Sequence, residues 1–270
     1  MKTILVINDF SAEAANAINF AFSIAKKVKA DILVADTVFC SRTIEVKSLQ
    51  LAGSYTGHEA TDPEVTSFEP DAYYPAINNL DVSGFSEDEL AGLIIKNGIW
   101  LMVKGISANA HDIASDSHLN AQGILNRVRC PLLLVPENFK PRDFERLTYV
   151  ADLRYCRLQI VKYLAELAAP YDALLQIANI AAKGMPEMDV NYSKVLFNEI
   201  IGLNIQYDNL LLNNIRERDL KKAIDVMVNA LHTDLLILVN HRFHFEEVFG
   251  RYLPDTLPQN MNVPLLVFPC

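Results

Sequence analysis

The chain has 270 residues, 51% hydrophobic and 21% charged, with a formal net charge of −9. That acidic balance excludes a general nucleic-acid backbone binder, which needs basic patches to displace counterions. The longest apolar runs, such as Leu235-Leu236-Ile237-Leu238-Val239, fall far short of the ~20 residues that span a bilayer, so no membrane partner is expected.

The first strand is expected at 3–8, in Ile4-Leu5-Val6-Ile7-Asn8-Asp9. A helix follows from Ser11, whose hydroxyl can cap the orphan amides. Ala14, Ala17, Ile18, Phe22, Ile24 and Val28 fall near helical spacing, and Lys26, Lys27 and Lys29 crowd the last turn, where cations oppose the helix dipole. A second strand at Ile32–Val38 follows almost at once. Strand, helix and strand with few turn residues between them make a βαβ unit, which requires a parallel sheet.

After Cys40 the pattern fails through Gly53, Gly57, Pro63, Pro70 and Pro75, with Tyr55, Tyr73 and Tyr74 between them. This is an irregular excursion over 41–75, of a length that is uncommon in compact domains; its tyrosines either cover a pocket or pack. Order returns with a strand at Ile77–Val82 and a helix over Ser86–Asn97, whose Ser86-Glu87-Asp88-Glu89 opening is a capping box. A strand at Ile99–Val103, a helix near Ser117–Val128 and a strand at Leu132–Val135 complete the first half. The polar stretch Asn138–Arg142, containing Pro141, is the expected boundary between domains 1–138 and 143–270.

The second half repeats the order: strands at 147–151, 173–180, 204–211, 234–239 and 264–268, with helices at 155–168, 191–202, 215–231 and 245–252. Here the second crossover keeps its helix. The ends of the halves correspond as well, Cys130-Pro131-Leu132-Leu133-Leu134-Val135-Pro136 reappearing as Val263-Pro264-Leu265-Leu266-Val267-Phe268-Pro269. The repeat is therefore domain-sized, and the fold class is α/β, two tandem doubly wound five-stranded parallel sheets. Met1-Lys2-Thr3 leads straight into a strand with no apolar leader, which sets the expectation of a cytoplasmic protein. Cys40, Cys130, Cys156 and Cys270 are dispersed without a C-x-x-C pair, so neither a disulfide framework nor a zinc ribbon is expected.

With this order of motifs the whole chain resembles the tandem members of the universal stress protein family. Ile4-Leu5-Val6-Ile7-Asn8-Asp9-Phe10-Ser11 is similar to that family's opening I-L-V-x-x-D-x-S, and Cys130–Val135 and Val263–Val267 to its closing C-P-V-L-V-V. The resemblance implies an adenine nucleotide alpha hydrolase-like fold and last strands paired antiparallel across a pseudo-twofold, here internally, Leu132–Val135 beside Leu265–Phe268. Family members that bind ATP carry G-x-x-G-x9-G-[ST] after the fourth strand, where backbone amides meet phosphate. This chain departs from it in both halves. Gly105 matches the first glycine, but Ala108 stands at the second and His118-Leu119 where the final pair belongs; in the second half Val239-Asn240-His241-Arg242 replaces the strand-end segment.

Asp9 and Asp152 match the family's acidic residue at the end of the first strand, where a carboxylate reads an adenine amine or a ribose hydroxyl, or merely caps the next helix. Open α/β sheets place ligands at the carboxyl ends of their strands. The candidate ligand-binding residues are therefore Asp9, Asp36, Gly105 and Ser107 in the first half and Asp152, Asn179, Asn240, His241 and Arg242 in the second.

No nucleophile elbow, P-loop or dinucleotide fingerprint is found, so no catalytic residue is expected. His241, His244, Glu246 and Glu247 could be read as a metal cluster, but a solvated strand-end loop and a helix dipole explain them better; His111, His118, Asp112 and Asp116 invite the same reading, but their segment takes the place of the family's phosphate loop and its polar residues meet solvent or a different ligand, so no metal is expected. Phe243, Phe245 and Phe249 with Tyr252 and Leu253 either pack in the core or join the halves. The expectation is a stress-response regulatory module that binds a small ligand or a protein partner. The alternative is an ATP- or AMP-binding switch, or a slow ATP hydrolase, using the first half. Beyond the internal pseudo-dimer, a homodimer is open.

Overall fold

A computed structural model of the chain describes residues 1–38, 73–107, 119–253, 257–258 and 261–270. Most of the excursion, with Tyr55, and Ala108, His111, Asp112, Asp116 and His118 lie outside the described residues.

β1 (Lys2–Asn8) leads into α1 (Ala12–Val28) and β2 (Ala30–Asp36). The Ser11 hydroxyl accepts from Ala14 N at 3.1 Å, the expected cap. The buried face of α1 is Ala14, Ala17, Phe20, Ala21, Ile24, Ala25 and Val28. Ile18 and Phe22 pack only partly against the core, because the helical period places them at the margin of that buried stripe.

β3 (Ile77–Asp81), α2 (Glu87–Lys96), β4 (Leu101–Ile106), α3 (Ala121–Leu125) and β5 (Leu132–Pro136) complete the first half. The capping box is present: Ser86 N donates to Glu89 Oε2 at 2.8 Å and Glu89 N donates to Ser86 Oγ at 3.3 Å. α3 is shorter than the 117–128 expected, since Asn120 caps Gln122 N and the chain already turns at Arg127 N, which donates to Ile124 O.

The second half runs β6 (Arg146–Ala151), α4 (Leu158–Ala168), β7 (Leu174–Asn179), α5 (Val190–Leu196), β8 (Leu210–Asn214), α6 (Leu220–Asp225), β9 (Leu235–Val239), α7 (Phe243–Phe249) and β10 (Leu265–Phe268). Wider turns extend α5 over Phe197–Gly202 and α6 over Val226–Ala230. Three expectations are corrected. The helix expected at 215–231 starts only at Leu220, where Asp219 caps it by accepting from Lys222 N at 3.3 Å. The strand expected at 204–211 is β8 at Leu210–Asn214, because Asn204 N and Ile205 N still donate to Ile201 O and the buried Ile205 side chain belongs to the helix end. The helix expected at 245–252 starts two residues earlier and stops at Gly250, whose φ of 79° is a conformation other residues rarely adopt.

The ten strands of the described residues form one sheet in the order β3-β2-β1-β4-β5-β10-β9-β6-β7-β8. Every pairing is parallel except that of β5 with β10, where Leu134, Leu133 and Leu132 face Leu265, Leu266 and Val267 antiparallel. All six residues are buried. The near-continuous apolar runs follow from helices covering both faces of a parallel sheet. The two halves are thus joined through their last strands, and one hydrophobic core extends through both.

Aromatic contacts reinforce that join: Trp100 of the first half stacks on Tyr163 of the second at 4.7 Å between centroids. The connecting segment packs as well, Phe139 and Phe144 both meeting Phe20 edge-on. Asn16 secures it by donating to the carbonyls of Pro136 and Phe139 at 2.9 and 3.0 Å.

Candidate functional site

In each half the strand order reverses beside the first strand, between β1 and β4 and between β6 and β9. Crevices at such points, outside the carboxyl ends of the strands, are where α/β sheets hold ligands.

At the first-half switch point Asp9 is half-buried and turned onto its own chain: Ser11 N at 3.1 Å and Ser11 Oγ at 2.5 Å both donate to Asp9 Oδ1. Phe10, between them, holds a φ of 64°, strained for an aromatic residue and compatible with the tight turn into α1. Asp36 ends β2 and accepts from Asn8 Nδ2 at 2.6 Å. Burial raises the Asp36 pKa, the hydrogen bond from Asn8 opposes this, and the charge of Asp81, its register partner on β3, raises it further.

Gly105 lies against the start of α1. A Cβ built there would fall on the Glu13 carbonyl and within 2.8 Å of Ala14 N. The glycine therefore permits the close approach of β4 to α1. Ser107 is half-buried at the last described position before residues 108–118.

The second-half switch point is filled differently. Asp152 is almost fully buried, and Arg154 grips it with both forks of its guanidinium: Nε donates to Oδ1 at 2.8 Å and Nη2 to Oδ2 at 2.6 Å. The amides of Arg154 and Ala182 add bonds of 3.1 and 3.0 Å, one to each oxygen. Burial alone would raise the Asp152 pKa; the hydrogen bonds from the Arg154 side chain and from the two amides outweigh it and lower the pKa. The cavity beside it, between Tyr149, Asp152, Arg157, Arg242 and His244, is about 20 Å³, room for roughly one water molecule. Arg242 lines this small cavity, three residues beyond the end of β9. His244 turns its Nε2 to the Ile180 carbonyl at 3.0 Å, and burial lowers its pKa against the opposing effect of that bond.

Asn240 and His241 do something the sequence did not suggest: they meet α3 of the other half. Asn240 is fully buried and donates to Asn126 Oδ1 at 3.2 Å, and His241 Nε2 lies 3.3 Å from both Asn126 Oδ1 and Gln122 Nε2. Gln122 Oε1 accepts from Leu253 N at 2.8 Å. The α7 end thus joins the two halves, while Phe245 is buried in the core and Phe243 and Tyr252 remain exposed. Tyr73 donates to Asp31 Oδ1 at 2.7 Å, and Tyr74 is exposed with its ring against Phe22.

Asn179 sits apart from the second-half switch point. It bridges elements through its amide, Oδ1 accepting from Leu153 N at 3.0 Å and Nδ2 donating to Asn214 Oδ1 at 2.7 Å. The two asparagines face each other in the β7–β8 register, the position taken by Asp36 and Asp81 in the first half. They floor a cavity of about 320 Å³ at the carboxyl ends of β7 and β8 that also reaches Glu187, Asp189 and Arg216. A larger open depression of about 810 Å³ lies at the other end of these strands, beside Asp172, Tyr207 and Asn209.

Sequence reasoning missed Asn8, Gln122, Asn126, Arg154, Asn214 and Arg216. Arg154 was visible in principle, since aligning Asp9-Phe10-Ser11 with Asp152-Leu153-Arg154 puts an arginine where the first half has its capping serine. Asn214 and Arg216 became visible only with the register of β8.

No protein-family model and no curated protein matches the sequence. Solved structures do. A universal stress protein from Archaeoglobus fulgidus DSM 4304 superposes with a TM-score of 0.59 at 13% identity, over 99% of this chain and 98% of that one. A functionally unknown protein from Pseudomonas aeruginosa PAO1 gives 0.55 at 14% identity over 100% and 92%. A provisionally assigned universal stress protein from Pseudomonas aeruginosa UCBPP-PA14 gives 0.55 at 13% identity over 100% and 93%. The chain has the tandem α/β fold of universal stress proteins.

Proposed function

We propose that this protein is a cytoplasmic stress-response module of the universal stress type, regulatory and not catalytic, acting through a small ligand or a protein partner with neither half holding a nucleotide in the family's manner. The observation that carries the reading is Asp152: both of its oxygens are committed to Arg154 and Ala182, beside a cavity of about 20 Å³. An adenine amine would have to displace a charge-assisted, bidentate contact to reach that carboxylate. In the first half Ala108 and His118-Leu119 replace the small residues that approach phosphate. Among the described residues no helix is long and apolar enough to cross a membrane.

The second reading, an ATP- or AMP-binding switch or slow ATP hydrolase, is favoured by one contrast. The Ser11 bonds to Asp9 both use Oδ1, so Asp9 is less committed than Asp152. Thermal melting with ATP and AMP separates the two readings, since a ligand at 100 times its Kd adds about 2.7 kcal/mol of stability. The expected result is no shift with either nucleotide and no adenine mass in native mass spectra. A shift that Asp9→Ala abolishes would establish the second reading instead.

A further inference from the structure

The cavity between Asn179, Asn214, Met188 and Arg216 lies at the carboxyl ends of β7 and β8, beyond the switch point that Arg154 occupies. Its volume of about 320 Å³ is at the small end of ligand sites, which combine apolar walls with a few convergent polar groups. Met188, Val190 and Ile215 supply the apolar wall, and Arg216 reaches it with an exposed side chain.

The polar groups are of both signs, and each acid has one oxygen already used. Asp189 Oδ1 accepts from Asn191 N at 2.9 Å and Tyr192 N at 3.1 Å, capping α5, which leaves Oδ2. Glu187 Oε1 meets Arg218 Nε at 3.2 Å, which leaves Oε2. A simple anion would be opposed by the two carboxylates, and a simple cation by the guanidinium. A molecule carrying both charges, with a short apolar portion, complements the whole lining.

We propose that this cavity binds a small zwitterion of the α-amino-acid class, its carboxylate on Arg216 and the Asn214 amide, its ammonium on Asp189 and Glu187, and its side chain against Met188, Val190 and Ile215. The proposal deepens the small-ligand part of the reading above and rests on it. Among the described residues the matching register pair of the first half differs, Asp36 and Asp81 putting two carboxylates where the amide pair stands.

The test is a thermal melt of the full chain against each of the twenty L-amino acids at 10 mM, followed by calorimetric titration of the best binder. Its analogues lacking the amine or the carboxyl group are titrated alongside. The expected result is binding of at least one amino acid, lost for both analogues. Binding should weaken about tenfold or more in Arg216→Ala, the effect of removing one charge-assisted contact. It should weaken also in Asp189→Asn, which keeps the helix cap, while the unliganded melting temperature of both variants stays near that of the parent. No binding by any amino acid, or binding that Arg216→Ala leaves unchanged, overturns the proposal. Nucleotide binding in the parallel ATP and AMP melts would overturn the reading of the family site instead, so the two failures are distinguishable.

Discussion

Gly105→Ala tests whether the one glycine that matches a phosphate-loop position works in packing. A methyl group there would overlap the Glu13 carbonyl and stand 2.8 Å from Ala14 N, where ordinary contact begins at 3.4 Å. Neither neighbour is a side chain that can swing aside. The first turn of α1 would have to withdraw from β4 by more than half an ångström, loosening the Ser11 cap and the buried contacts of Ala14 and Ala17. Overpacking of this kind costs about 1–3 kcal/mol, and the upper part of that range is expected because backbone must move. In a urea titration the midpoint should fall with an unchanged slope, and the melting temperature should drop by about 4–10 °C. A variant within about 0.5 kcal/mol of the parent would refute the packing account. Were such a stable variant also to lose a nucleotide-induced shift seen in the parent, the glycine would be serving a ligand.

Two further outcomes follow from the carboxylates. Asp36→Asn keeps the acceptor for Asn8 Nδ2 and removes the repulsion with Asp81, so at neutral pH it should stabilise by up to about 1 kcal/mol, the size of a partly screened charge pair. The Asp36 pKa is raised in the fold, first by burial, so its penalty is absent below the unfolded pKa and complete above the folded one; the gain from Asp36→Asn should vanish in titrations near pH 3, and a gain that persists there would contradict the mechanism. Arg154→Ala leaves a buried carboxylate held only by two amides and should destabilise by about 2–4 kcal/mol. Asp152 has a lowered pKa in the fold, so the stability it contributes is present above its unfolded pKa and is lost as pH falls through the folded value. The parent should therefore lose stability over that acid range and Arg154→Ala less, as read by chemical denaturation at several pH values.

Much of the architecture was legible in the chain because local physical chemistry fixes it. Ser11 and Ser86 cap their helices as their spacing requires, Val/Leu-rich runs buried on both faces demand a parallel sheet, and the repeated x-Pro-Leu-Leu segment marks two copies of one unit. The β8 position was not, because Leu203–Leu212 holds apolar residues on both sides of the helix end and only pairing with β7 selects Leu210–Asn214.

The candidate residues divide in the same way. Their place at strand ends was readable from the βαβ order, and Asp9, Asp36, Asp152 and Asn179 all stand there. What each side chain does depends on partners far away in sequence. Asn240 and His241 are set by Gln122 and Asn126 of the opposite half, and Asn179 by Asn214. By itself the sequence determined the order and type of the secondary elements, their duplication and their α/β class, since caps, periodicity and burial pattern act over a few residues. Only the tertiary structure decided which carboxylates are committed, which glycine is squeezed and where a cavity stays open, because hydrogen-bond geometry and packing are properties of neighbours that the fold brings together.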